Sequence, residues 1–398
     1  TLYDIIAKLN DEGKLLNATV VESNAAVALA QSLFGNGAGL EVEIPRRTLF
    51  INAVGDFIIV TKEKSCPQGE YIGKLNDTGV ISTERGKVSL AELGNYYEGT
   101  LEKVFPTTAK AEGKAKNVSF VSGEKFASTV KTARPRVFIP VFPGTNCEYD
   151  TAKAFERAGA VADICVVRNR SAKDIAETIE EMASKIKQAN IIAFPGGFSG
   201  GDEPDGSGKF IATAFRNPRL EEVVNDLLYR RDGLVLGICN GFQALIKLGL
   251  LPYGKIAPQT ADSATLTFNN IARHVSTVTK VRIATDKSPW LCNFKVGDIY
   301  SVPVSHGEGK FICPDSVMEN LIKNGQIATQ YVDFDGNATM ESPFNPNGSF
   351  MAVEGIISPD GRVFGKMGHT ERYQDGLYRN VDGNFDMNVF ASAVKYFG

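Results

Sequence analysis

Residues 233–249 read GLVLGICNGFQALIKLG, and this stretch decides the fold. Leu234 to Ile238 form a short apolar run without polar alternation, the mark of a strand buried on both faces. Cys239 follows between two glycines, and the apolar residues then recur at helical spacing. A strand, a sharp turn carrying one nucleophilic side chain and a helix make a G-x-C-x-G elbow. Glycines suit it because the turn needs close backbone approach, and the helix N-terminus favours thiolate over thiol. Free cysteine is also among the most buried residue types, so the elbow alone leaves Cys239 open between nucleophile and packing residue.

The same alternation runs outward from this point. VFIPVF (137–142), ADICVV (162–167) and NIIAFPGG (190–197) read as strands. YDTAKAFERAG (149–159), SAKDIAETIEEMASKIKQ (171–188) and RLEEVVNDLLYRR (219–231) read as amphipathic helices between them. The pattern predicts an α/β fold with a doubly wound parallel sheet covered on both faces. Sites in such sheets form at the carboxyl ends of strands, where Gly144–Cys147, Gly196–Phe198 and Cys239 all fall. Residues 1–105 mix helix and strand signals and predict a smaller α+β segment, with a hairpin over TLFINAVGDFIIVTKEK (48–64). Residues 106–135, rich in Lys, Ala, Thr and Ser, predict a solvated linker, and 136–398 form the main domain.

Bulk composition narrows the function classes. A chain of 398 residues with 43% hydrophobic content has room for ordinary cores, and a formal net charge of −3 offers no basic field for nucleic acid. The six cysteines (Cys66, Cys147, Cys165, Cys239, Cys292 and Cys313) contain no C-x-x-C pair, against a disulfide scaffold or a zinc site. No stretch reads as a signal peptide or membrane span, so a reducing cytoplasm is expected. DGSGKF (205–210) fails as a phosphate loop, since Glu203 stands at the first glycine position and Phe210 at the Ser/Thr position.

A thiolate acting on an amide needs a proton carrier and an oxyanion site. Of three histidines, His274 lacks acidic or glycine-rich company, whereas His306 and His369 each open a His-x-Glu, with Glu308 and Glu371. A carboxylate at that position can hold the imidazole tautomer. Oxyanion donors are sought in the Asn240 N–H and the Gly196-Gly197-Phe198 turn.

FPGTNCEYD (142–150), FPGGFSGGD (194–202), GICNGFQALIKLGLLP (237–252), PVSHGEGKF (303–311) and GHTER (368–372) occur in this order. By these motifs the segment from about 135 to 398 resembles the class I glutamine amidotransferases, and more narrowly the glutaminases of the phosphoribosylformylglycinamidine synthase family. AVALAQSLFGNGAGLEVEI (26–44), GDFIIVT (55–61), YIGKLNDTGVI (71–81) and GNYYEGTLEKVF (94–105) are similar to the end of the synthetase half in the large, fused form. The resemblance implies a flavodoxin-like fold with Cys239 as nucleophile, His369 as base and Glu371 behind it. Thr370 stands where the family usually has proline. It further implies that His306 shapes the glutamine pocket, that Gln243 contacts the substrate, and that no metal or cofactor serves the glutaminase. ATP and magnesium would serve the complete synthase, whose other synthetase domains are the implied partners, with this chain a carboxy-terminal portion opening at Thr1. A cysteine hydrolase or peptidase on a flavodoxin-like scaffold, and a non-catalytic scaffold fragment, remain the alternatives.

Overall fold

The structure is a computed structural model that describes residues 1–398 apart from 64, 65, 67, 68, 200–207 and 380. It divides into two compact units, Thr1–Thr107 and Thr108–Gly398.

The first unit holds a four-stranded sheet in the order Gly73–Asn76, Gly39–Val42, Val80–Thr83, Gly86–Ser89, with helices Ala25–Phe34 and Leu90–Gly99. Its own core gathers Val21, Leu29, Leu33, Leu40, Ile81 and Leu90. The hairpin expected from Thr48 does not form. Arg46–Phe50 winds into a 3-10 helix that buries Leu49, and Phe57–Thr61 pairs antiparallel with Leu15–Val20 instead. The alternating apolar residues of that strand were legible, but its partner lies some forty residues upstream.

The main sheet of the second unit has nine strands among the described residues: β1 (Arg136–Val141), β2 (Val161–Val166), β3 (Ile191–Phe194), β4 (Leu234–Ile238), β5 (Val275–Ile283), β6 (Ile299–His306), β7 (Ile327–Val332), β8 (Val353–Ile357) and β9 (Val363–Lys366). They form one sheet in the order β6-β5-β7-β8-β9-β4-β3-β1-β2. The block β2-β1-β3-β4-β9 is parallel throughout, the flavodoxin-like order, while β8, β7, β5 and β6 extend it antiparallel. Every residue of β3 and β4 is buried, as the unbroken apolar runs require of central parallel strands.

Helices cover the parallel block. Helix α1 (Glu148–Arg157) packs on α5 (Val389–Phe397) through Phe155 and Phe390, whose rings meet edge-on at 4.9 Å. A second group joins α2 (Ala172–Gln188) to α3 (Pro218–Tyr229), and the elbow helix α4 (Asn240–Leu248) lies against Lys209–Phe215. Burial of Phe138, Phe194, Phe242 and Phe364 fills the layers between them.

Residues 108–135, read as a solvated linker, are strapped to the second unit. Gln330 Oε1 accepts from the Val118 N–H at 2.8 Å, Arg282 Nη1 donates to Val118 O at 2.7 Å, and the Ser128 N–H donates to Tyr396 O at 2.7 Å. These anchors are mostly backbone groups met by partners far away in the chain, so they leave no apolar period in the local sequence. No helix among the described residues is long and apolar enough to cross a membrane.

Candidate active site

The loops after β1 and β3 meet where the strand order reverses, joined by a bridge between Thr145 and Gly197. Cys239 leaves β4 beside them with φ 52° and ψ −105°, a backbone conformation that costs a non-glycine residue about 1–3 kcal/mol. The Cys239 N–H donates to Lys366 O at 2.8 Å, pinning the elbow to the end of β9. The flanking glycines have a steric cause. A Cβ on Gly241 would fall 2.0 Å from Phe194 O, and one on Gly237 would fall 2.7 Å from Gly241 O. Cys239 is 3% exposed, yet its surroundings are polar, with Sγ 3.7 Å from Ser305 O.

His369 follows β9 on a turn that continues into a 3-10 helix at Thr370–Arg372. Its Nδ1 lies 2.6 Å from Glu371 Oε1, and both side chains are buried. Burial works against a charged ring, but the Glu371 carboxylate and the approach of Cys147, Cys239 and Glu371 outweigh it and hold the imidazole well above its usual range. Burial likewise works against the Glu371 carboxylate, and His369 overcomes it and keeps the carboxyl below the usual carboxylate range. His369 Nε2 carries no aligned hydrogen bond among the described residues.

The second His-x-Glu behaves differently. His306, at the end of β6, is buried, and neither ring nitrogen has a hydrogen-bond partner among the described residues. Burial, then the charges of His369 and His274, push it down to about 3, so it is neutral at physiological pH. Both motifs look alike in sequence, and only His369 acquires the carboxylate. His274 is exposed, with Nε2 3.0 Å from Ser305 Oγ and its ring 6.0 Å from that of Phe198.

The remaining predicted residues sort by what they touch. A Cβ on Gly196 would stand 2.7 Å from His369 Cε1 and 3.1 Å from Cys147 Sγ, so the absence of a side chain there makes room for the imidazole. Gly197 has φ 148° and backs onto Thr145. The Phe198 N–H donates to Gly144 O at 2.7 Å and is therefore engaged within the protein. Asn240 Nδ2 donates to Gln243 Oε1 at 3.0 Å, and Gln243 Nε2 donates to Glu308 O at 2.6 Å, linking α4 to the turn after β6. Of the rejected phosphate loop DGSGKF, residues 205–207 lie outside the described residues, as do Glu203 and the rest of 200–204.

Two residues here had no predicted role. Cys147 Sγ lies 4.0 Å from His369 Nδ1, and Arg372 Nη2 donates to it at 3.1 Å. Its position at a strand end marked the loop, but nothing local ties residue 147 to residues 222 and 225 positions onward. The thiol, imidazole and carboxylate atoms of Cys147, His369 and Glu371 all lie within 4.8 Å of one another, a set a soft divalent cation could use. The guanidinium on the sulfur and the short Nδ1–carboxylate bond occupy those same atoms, which favours a hydrogen-bonded relay over a metal centre.

Residues 134–397 match the CobB/CobQ-like glutamine amidotransferase domain. The chain belongs to this family. Among curated relatives, phosphoribosylformylglycinamidine synthase subunit PurQ of Methanococcus maripaludis is 36% identical over 286 residues, covering 66% of this chain and 97% of that protein. Subunit PurQ of Dehalococcoides mccartyi is 35% identical over 266 residues, 64% and 94% of the two chains. A solved structure, PurLQS from Thermotoga maritima, aligns with TM-score 0.47 and 25% identity over 67% of this chain and 100% of that one. The second unit is thus a glutamine amidotransferase domain.

Proposed function

We propose that this chain releases ammonia from glutamine for a phosphoribosylformylglycinamidine synthase, with Cys239 as nucleophile, His369 as proton carrier and Glu371 orienting it. One arrangement carries the reading: a positive-φ cysteine at a helix start, its thiol near enough to favour the charged form of an imidazole held by a buried carboxylate. The alignment of synthase subunits over nearly their whole length supports the choice of acceptor.

The Cys239 thiolate, its proton held on the His369 imidazolium, attacks the side-chain amide carbon of glutamine. The carbonyl electrons move onto oxygen, which the N–H groups of Gly197 and Asn240 receive. As the C–N bond breaks, the proton on His369 goes to nitrogen and ammonia departs, leaving a γ-glutamyl thioester on Cys239. Water then gives a proton to His369 and adds to the thioester, and collapse returns glutamate and the thiol. Glu371 stays ionised throughout and stabilises the imidazolium. Neutral His306, Gly196 and Phe198 shape the pocket, and Gln243 exchanges its bond to Glu308 O for one to the substrate. The first unit serves as the end of a synthetase half, whose remaining domains bind ATP and magnesium. Its place is the cytoplasm, where glutamine is free and the chain's cysteines stay reduced.

Glutamine labelled with ¹⁵N in its amide tests this. With the chain, its synthetase partner, ATP, magnesium and formylglycinamide ribonucleotide, the amidine product is expected to carry the label. Label appearing only as free ammonium, with no amidine formed, contradicts the assignment of the acceptor.

A further inference from the structure

Lys366 and Glu354 are wholly buried, 0% exposed each, and pair at 3.1 Å beneath the turn that carries His369. The mechanism above gives them no part. Two unit charges withdrawn from water carry a desolvation cost of several kcal/mol each, and an apolar pair of similar volume is often as stable. Their hydrogen bonds converge on one residue. Lys366 Nζ donates to Gly368 O at 2.7 Å, and the Gly368 N–H donates to Glu354 Oε1 at 2.6 Å. Thr329 Oγ1 donates to the other carboxylate oxygen, and the Met367 N–H donates to Glu354 O at 3.2 Å.

Gly368 is the residue immediately before His369, so the pair fixes the two successive peptide groups that flank the Gly368 Cα, the second of which enters the base. The main chain of Lys366 also accepts the Cys239 N–H at 2.8 Å. One residue therefore holds the elbow with its carbonyl and the base turn with its ammonium. There is no slack in this packing: a Cβ on Gly368 would lie 3.0 Å from Lys366 Nζ, 3.0 Å from Glu354 Oε1 and 2.7 Å from Val302 Cγ2.

We propose that the Lys366–Glu354 pair is a positioning clamp for the reaction, locking the Gly368–His369 backbone in register with the Cys239 elbow. Lys366 and Glu354 touch neither substrate nor reacting atoms; they act through Gly368. The inference rests on the reading of Cys239 and His369 as the reacting pair. A misplacement of about 1 Å in such a pair can cost about 10²-fold in rate.

Lys366→Met alone would leave an unpaired buried carboxylate and could unfold the chain, so the test uses two charge-free double variants. Lys366→Met/Glu354→Gln keeps an acceptor for the Gly368 N–H and loses the donor to Gly368 O. Lys366→Gln/Glu354→Gln keeps the acceptor and an amide donor, one bond shorter than the ammonium, on the Gly368 O side. For the Met/Gln protein, kcat for glutamine hydrolysis is expected to fall about 10-fold or more, with KM within about threefold of the parent. For the Gln/Gln protein, kcat should return to within about threefold of the parent, since a hydrogen-bonding amide replaces each charge. Parent kcat in a folded Met/Gln protein, or a loss confined to KM, overturns the clamp. If the Met/Gln protein is insoluble, the Gln/Gln protein decides: a loss above about tenfold with the fold intact overturns it. Turnover by the parent and its loss in Cys239→Ser, run alongside, separate failure of the nucleophile assignment from failure of the clamp.

Discussion

Cys239→Ser is expected to lower kcat for glutamine hydrolysis by about 10⁴-fold or more while leaving the fold intact. The hydroxyl matches the thiol in shape, so the elbow keeps its φ of 52° and its N–H bond to Lys366 O. What changes is the nucleophile: a hydroxyl beside His369 is a far weaker acid than a thiol and supplies no anion at neutral pH. Glutamine binding should persist, because the groups around Gln243 and His306 are untouched. Steady-state turnover with a thermal melt on the same sample checks both halves. A serine variant within tenfold of the parent would remove Cys239 from the chemistry.

Glu371→Gln should cost about 10²–10⁴-fold in kcat/KM and change how stability depends on pH. The carboxylate raises the affinity of the His369 ring for a proton, and the ring in turn lowers that of the carboxyl. The raised histidine contributes stability that is complete below 6.5, its ordinary value, and is lost as pH climbs through the higher folded value. The lowered carboxyl contributes stability that is complete above 4.5 and is lost as pH falls through the lower folded value. Both contributions are whole between pH 4.5 and 6.5, so the drop in Tm caused by Glu371→Gln should be largest there and shrink on either side. Melts at half-unit pH steps give the profile. A Tm difference that does not vary with pH would mean that the two groups do not interact as an ion pair.

Most of the parallel half of the second unit was legible because its signals are local: four short apolar runs, amphipathic helices between them and a glycine-flanked cysteine. Strand-end placement also puts the Gly144, Gly196 and Cys239 turns at one rim of a parallel sheet. The antiparallel extension was harder to see, because β5 to β8 pair in an order that their sequence does not encode. The hairpin and the linker misled for the same reason. Phe57–Thr61 and residues 108–135 both find partners far away in the chain, and the strap does so through backbone groups.

At the site, residue type and spacing singled out Cys239 and two His-x-Glu motifs, and the resemblance favoured His369 over His306. The structure adds a difference the motifs do not show: Glu371 bonds His369 at 2.6 Å, while the His306 ring nitrogens have no hydrogen-bond partner among the described residues. Cys147, Arg372 and the Lys366–Glu354 pair were invisible as a group because chain folding alone assembles them. Gln243 is implied as a substrate contact by the resemblance, and in the structure its amide bonds Asn240 Nδ2 and Glu308 O.

Two thiols flank the His369 ring, and the whole scheme depends on which of them reacts. Treating the chain with a glutamine-mimicking electrophile and mapping the adduct by peptide mass spectrometry answers this in one step. A single adduct on Cys239, suppressed by excess glutamine, is the predicted result; an adduct on Cys147, or none on either cysteine, would contradict it.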